Sequence, residues 1–306
     1  MKPVYRERAL SIDEIIDMLE RQGLTVEDRD RAHHVLENVS YSRLRSYLVP
    51  LMTSRYSHQF KPGTTFEMSY ALYGFDRRLR ELVFHEMEKI EISIRTHIAY
   101  ASNGSEGGYW FTNPEHFRNK SSHGYLLRKI KSDVEHSDND AIVEFRQKYS
   151  NEFPPCWLTL EATSMGTLSV IYEEMEAGEI KSRIASYYGL DVVTFNSWLK
   201  HMVYIRNYCA HHNRLWNKHL THRAVLPALD RRGCVVGPGR KLFANVDEKS
   251  VGTVYLTLCI IKFLQNSVKP ENTFARRVRS LIDNFPVIDP SLMGFPAGWK
   301  DDPFWK

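Results

Sequence analysis

Cysteine is scarce. Cys156, Cys209, Cys234 and Cys259 are the only four in 306 residues, and no two stand in a CxxC or zinc-finger spacing. Scattered in this way they read as reduced structural thiols, which suits a cytoplasmic protein and argues against a disulfide-stapled scaffold. Long apolar runs are missing too. The greasiest, "VYLTLCIIKFL" from Val254, has about half the length a bilayer span needs, and the N-terminal residues lack the apolar core of a signal peptide. A soluble protein with no membrane partner is expected. HExxH, a phosphate-cradling glycine loop, GxSxG and a convincing carboxylate pair are all absent. Metalloprotease, P-loop NTPase and α/β-hydrolase chemistry therefore lose support, and neither a metal nor a cofactor is expected.

What is present is helix. The chain is 42% hydrophobic and 25% charged, enough for a real core, and its net charge of +4 fits a nucleic-acid partner without requiring one. Ser11 and Glu14 have capping-box spacing, and Ile12, Ile15, Ile16 and Leu19 make one stripe before Gly23. Two short helical segments follow, the second stopped by Pro50. From Thr65, a plausible N-cap, Leu72, Phe75, Leu79, Leu82, Val83, Met87, Ile90, Ile94 and Ile98 recur at three- and four-residue steps. That periodicity predicts one long helix, or two joined near Gly74, as the spine of the fold. Further short helices lead to Asp191, which reads as the cap of another. Strand alternation and internal repeats do not occur, so the class is all-α. The expected organisation is an N-terminal helical hairpin segment over 1–64, a helical domain over 65–222, and a basic loop with C-terminal helices over 223–306 packed on the same core.

The helix after Asp191 ends unusually. "FNSWLKHMVYI" reads as a buried face, yet "RNYCAHHNRLWN" follows, with two arginines, two adjacent histidines and three asparagines. Polar groups placed beside a core are costly unless they pair or act. Arg206 and His211 match the R-x(4–6)-H pattern of HEPN ribonucleases. So do Arg29/His34, Arg80/His85, Arg118/His123 and Arg214/His219, so the spacing alone decides nothing. Context favours Arg206/His211, which joins an apolar lead-in to a dense polar end. At about 100° per residue, positions five apart lie roughly 140° from each other on a straight helix. The arginine and histidine would meet only on a distorted helix or across two copies of the chain, which makes a homodimer part of the expectation. Asn207, four residues before His211, is placed to orient its ring. His212 falls on the stripe of Trp198, Met202, Ile205, Cys209 and Trp216 and is expected in the core.

Several segments, in order, resemble the bacterial abortive-infection (Abi) family, and within it the AbiD/AbiF-like phage-defence proteins: "NVSYSRLRSYLVP", "FKPGTTFE", "LYGFDRRLR", "EMEKIEISIRTHIAY", "PPCWLTLEATSMGTLSVIYEEM", "YIRNYCAHHNRLWN" and "MGFPAGWKDDPFW". The resemblance runs from about Ser11 to Trp305. It implies a HEPN-like helical bundle with Arg206 and His211 as the catalytic pair and Asn207 beside them. The implied activity is a metal-independent endoribonuclease with an RNA substrate, toxin-like in phage defence and restrained by an antitoxin, either a protein or a structured RNA. A histidine can move a proton near neutral pH, and an arginine can pin a phosphate and offset charge growing on it.

Two rival readings stand beside this one. The fold could carry a non-catalytic RNA- or nucleotide-binding module, or a helical interaction protein that senses a phage or host component. Arg231, Arg232, Arg240 and Lys241, in a glycine-rich loop, are candidate RNA contacts. Glu88, Glu91 and Arg95 read most simply as a solvated face, with a minority role in orienting Arg206.

Overall fold

A computed structural model describes residues 8–54, 56–101, 107–227, 246 and 248–306. Among these residues the fold is all-α, with three isolated bridges in place of any sheet. None of the described helices is long and apolar enough to cross a membrane. The loop carrying Arg231, Arg232, Arg240 and Lys241, and Cys234 with them, lies outside the described residues.

The chain divides into two compact units, 1–79 with 280–290, and 80–279 with 291–306. In the first, α1 (Ile12–Arg21) opens with the expected capping box: the Ser11 hydroxyl accepts from the Glu14 N–H, and the Glu14 carboxylate accepts from the Ser11 N–H. It is followed by α2 (Arg29–Asn38) and α3 (Tyr41–Leu48). Ile16, Leu19, Val35, Leu36, Leu44, Leu48, Phe60 and Phe66 close over one another, each buried side chain worth roughly 1.5–3 kcal/mol. Asp76 is buried but not orphaned, since the Tyr47 hydroxyl donates to it at 2.6 Å.

The spine is a single helix, α4 (Phe66–Ala101), with Thr65 accepting from the Met68 N–H at its start and no break at Gly74. A helix tolerates one glycine at a cost of about 1 kcal/mol, small against the stripe that it carries. In the second unit that stripe is Leu82, Val83, Met87, Ile90, Ile94 and Ile98, all buried. The same unit contains α5 (Lys120–Glu135), α6 (Asp140–Lys148), α7 (Cys156–Ala162), α8 (Met165–Glu174), α9 (Glu179–Tyr187) and α10 (Val192–Ala210). The unit also holds α11 (Val254–Val268) and all but the end of α12 (Phe274–Asp283). Helix α10 packs on α8 and α9, with Phe195 stacked on Tyr188 at 5.1 Å. Its other side meets α11, where Trp198 sits edge-on to Phe263 at 5.4 Å. Cys156, Cys209 and Cys259 are all buried.

The C-terminal segment is part of this core despite its prolines. Tyr255, Phe295, Trp299 and Trp305 form one aromatic cluster, and the Arg279 guanidinium donates to the carbonyls of Lys300 and Trp305. Gly294 has φ +90°, and a Cβ there would lie 2.6 Å from the Thr253 Cβ at the head of α11, so only glycine fits.

Candidate functional site

Helix α10 starts where expected. Asp191 accepts from the Thr194 N–H at 2.9 Å and from its hydroxyl at 2.6 Å. At the other end the helix stops one residue before His211. The His212 N–H bonds the Cys209 carbonyl at 2.9 Å and the Asn213 N–H bonds the Tyr208 carbonyl at 3.1 Å, the two closing bonds of a Schellman turn. The left-handed position of that turn is usually glycine, but here it is His212, at φ +56°. A histidine there holds about 1 kcal/mol of strain or more.

The turn overturns one expectation. His212 continues the buried spacing of Trp198, Met202, Ile205 and Cys209, yet it is exposed. Spacing predicts a face only while the backbone stays helical, and the left-handed residue swings its side chain off that line.

Arg206 is half-buried. Its guanidinium stands over the Phe84 ring of α4 at 5.7 Å, its Nη1 donates to Asn207 Oδ1 at 3.3 Å, and its Nε is buried with no hydrogen-bond partner. Asn207 thus engages the arginine through its side chain. Its backbone carbonyl, not its amide group, is what bonds the His211 N–H, at 3.0 Å. The imidazole of His211 is exposed on the cap. Arg206 and His211 leave the helix on directions about 140° apart, so a single copy does not present both to one small ligand.

The four competing arginine–histidine pairs have visible structural duties. Arg29 is held by Glu20 and by Asp17 at 2.6 Å. Arg118 is paired with Glu174 at 2.8 Å, and buried His123 bonds the Phe111 carbonyl at 2.9 Å. Arg80 is buried and reaches the Asn213 carbonyl, so it supports the turn that carries His211 and His212. Arg214 leans back on the Asn217 carbonyl. Arg95 is also committed: its Nε donates to the Leu160 carbonyl at 2.7 Å and its Nη2 to Thr163 O at 3.1 Å and Glu91 at 2.9 Å. It closes the end of α7, and is neither a solvated charge nor a support for Arg206.

Two features of this region escape a motif search. One is charge. Between Asp191 and Asp230 no acidic residue occurs, while Lys200, Arg206, Arg214, Lys218 and Arg223 are accompanied by five histidines. The other is a second imidazole pair. His201 of α10 is buried, bonds the Thr257 hydroxyl at 2.9 Å through Nε2, and lies 5.6 Å from the His222 ring. Burial, aided by the neighbouring His222, lowers the His201 pKa to about 4, and burial followed by the nearby Lys200 lowers that of His222. Both rings are therefore uncharged at neutral pH. The acid-free stretch was readable in the chain, whereas the pairing of His201 with His222 needed the fold.

Among the described residues no cluster of three or more histidine, cysteine or carboxylate side chains could hold a metal ion. Fold and cap together define a helical protein that carries an arginine, a histidine and an acid-free basic segment at one helix end. The chain belongs to the Abi-like protein family, whose model matches residues 34–217, and this membership associates it with abortive infection. No curated protein and no solved structure matches it.

Proposed function

We propose that the chain is a metal-independent endoribonuclease of the HEPN type, acting as an abortive-infection effector of the AbiD/AbiF-like kind. The observation that carries this reading is Arg206. Its guanidinium is held in place by an aromatic ring and one asparagine, and its Nε is buried without a partner. A half-exposed guanidinium beside an acid-free segment suits a phosphodiester.

RNA supplies the rest of the chemistry. In the proposed reaction His211 removes the proton from the ribose 2′-OH, the 2′ oxygen attacks the adjacent phosphorus, and the P–O5′ bond breaks. The leaving 5′ oxygen takes a proton from water, His211 returns its own proton to solvent, and the products are a 2′,3′-cyclic phosphate and a 5′-hydroxyl. Arg206 binds the phosphate oxygens, on which negative charge grows. Because the two side chains diverge on one helix, the proposed active form is a homodimer in which His211 of one copy approaches Arg206 of the other. A toxic nuclease needs restraint between infections, and an antitoxin, protein or structured RNA, fills that role in this reading.

Induced expression in bacteria tests it. Growth arrest should vanish with Arg206→Ala and with His211→Ala while both variants stay folded, and purified protein should leave cyclic-phosphate ends on RNA in the presence of EDTA. Equal toxicity of all three proteins would refute the reading and favour an interaction protein.

A further inference from the structure

His201, Tyr204, Tyr208 and His211 fall at steps of three, four and three, which places them within about 80° of one another on α10. This is the side of the helix away from Arg206. Tyr204 and Tyr208 are partly exposed, with ring centroids 5.7 Å apart. His222, arriving from the segment after the cap, lies nearly parallel to Tyr204 at 5.9 Å, and Thr221 reaches the Tyr204 hydroxyl at 3.4 Å. The result is a short row of aromatic faces leading up to His211. The segment bearing the row has no acidic residue, and Lys200, at its inner end, is taken up by Glu173 at 2.6 Å.

We infer that Tyr204, Tyr208 and His222 form a stacking platform for the unpaired bases of single-stranded RNA next to His211. This rests on the ribonuclease reading for its choice of RNA. Single strands are gripped by aromatic faces along a positively charged track, and every base offers a face to stack, so such a platform selects for unpaired strand rather than for sequence. A duplex hides its base faces and cannot use the row. An uncharged His222 stacks as a neutral ring. Tyr204 and Tyr208 are thus positioning residues that set which nucleotide brings its 2′-OH to His211.

The test uses the full chain in a His211→Ala background, so that the RNA survives. Binding of a short fluorescein-labelled single-stranded RNA and of its duplex is read by anisotropy at fixed salt. The single strand should bind better than the duplex. Tyr204→Leu and Tyr208→Leu should each weaken the single strand about tenfold or more and leave duplex binding unchanged, while Tyr204→Phe and Tyr208→Phe bind like the parent. 2-Aminopurine in the single strand should be quenched on binding the parent, a readout that needs no tyrosine variant and survives any that fails to fold. Leucine variants that bind single strand as the parent does, or a parent that prefers duplex, overturn the platform. Cleavage by the His211-intact chain combined with unaffected leucine variants removes the platform and leaves the nuclease. Single-strand selectivity with no cleavage removes the nuclease and leaves the platform.

Discussion

The ends of α7 and α10 both lie near an arginine, and they use it differently. At α7 the buried Arg95 fills its donors with the carbonyls of Leu160 and Thr163 and with Glu91. A buried lysine closes α8 in a similar way, Lys181 donating to the carbonyls of Glu173 and Met175. Helix α10 instead closes its own carbonyls with a Schellman turn, and its arginine is left with a partnerless Nε and an aromatic cushion. A buried cation that satisfies helix carbonyls serves the fold. A half-buried cation whose helix end is already capped is available to a ligand.

Removing the committed arginine should show the largest effect. Arg95→Ala leaves Glu91 and the Thr163 carbonyl without their arginine donor in a buried site, and unfolding in urea should reveal a loss of about 3–5 kcal/mol. A loss below about 1 kcal/mol would erase the contrast between the two helix ends.

Helix α10 repeats the contrast within itself, with a committed His201 at its middle and an open His211 at its end. Because folding depresses the His201 pKa from 6.5 to about 4, the unfolded chain takes up a proton that the folded chain refuses. Stability from this group is therefore complete above about pH 6.5 and falls as the pH drops towards 4, by on the order of 3 kcal/mol. Urea titrations of the parent across that window should be steeper with pH than those of His201→Phe. Equal slopes would mean that the ring is reached by solvent.

Arg206→Ala should change unfolding free energy by less than about 1 kcal/mol, since a partly exposed cation–π contact is worth no more, and should still abolish growth arrest. A large loss of stability would move Arg206 into the class of Arg95. The cap should show no loss at all. His212→Gly should raise stability by about 1 kcal/mol or leave it unchanged in thermal melts, because glycine takes φ +56° without strain. Destabilisation would assign the His212 side chain a packing duty.

Much of the helix layout was readable along the chain. The Ser11 capping box, the Thr65 and Asp191 caps and the spine stripe all depend on residues within a few positions of one another. The spacing places His212 in the core because a three-and-four pattern carries no sign of where the helix turns left-handed. In sequence Arg95 reads as part of a solvated face because its partners, Leu160 and Thr163, come from far along the chain. The Asn207 side chain was expected on His211 by spacing, but Arg206 lies as close and is the stronger donor.

The chain by itself determined an all-α protein, the limits of most of its helices, an acid-free basic stretch and the polar end of α10, since periodicity, capping and charge are local properties. Only the tertiary structure decided which cations are committed and which remain open. That depends on whether carbonyls, carboxylates or rings from distant segments arrive within bonding distance, and packing sets those distances, not neighbours in sequence.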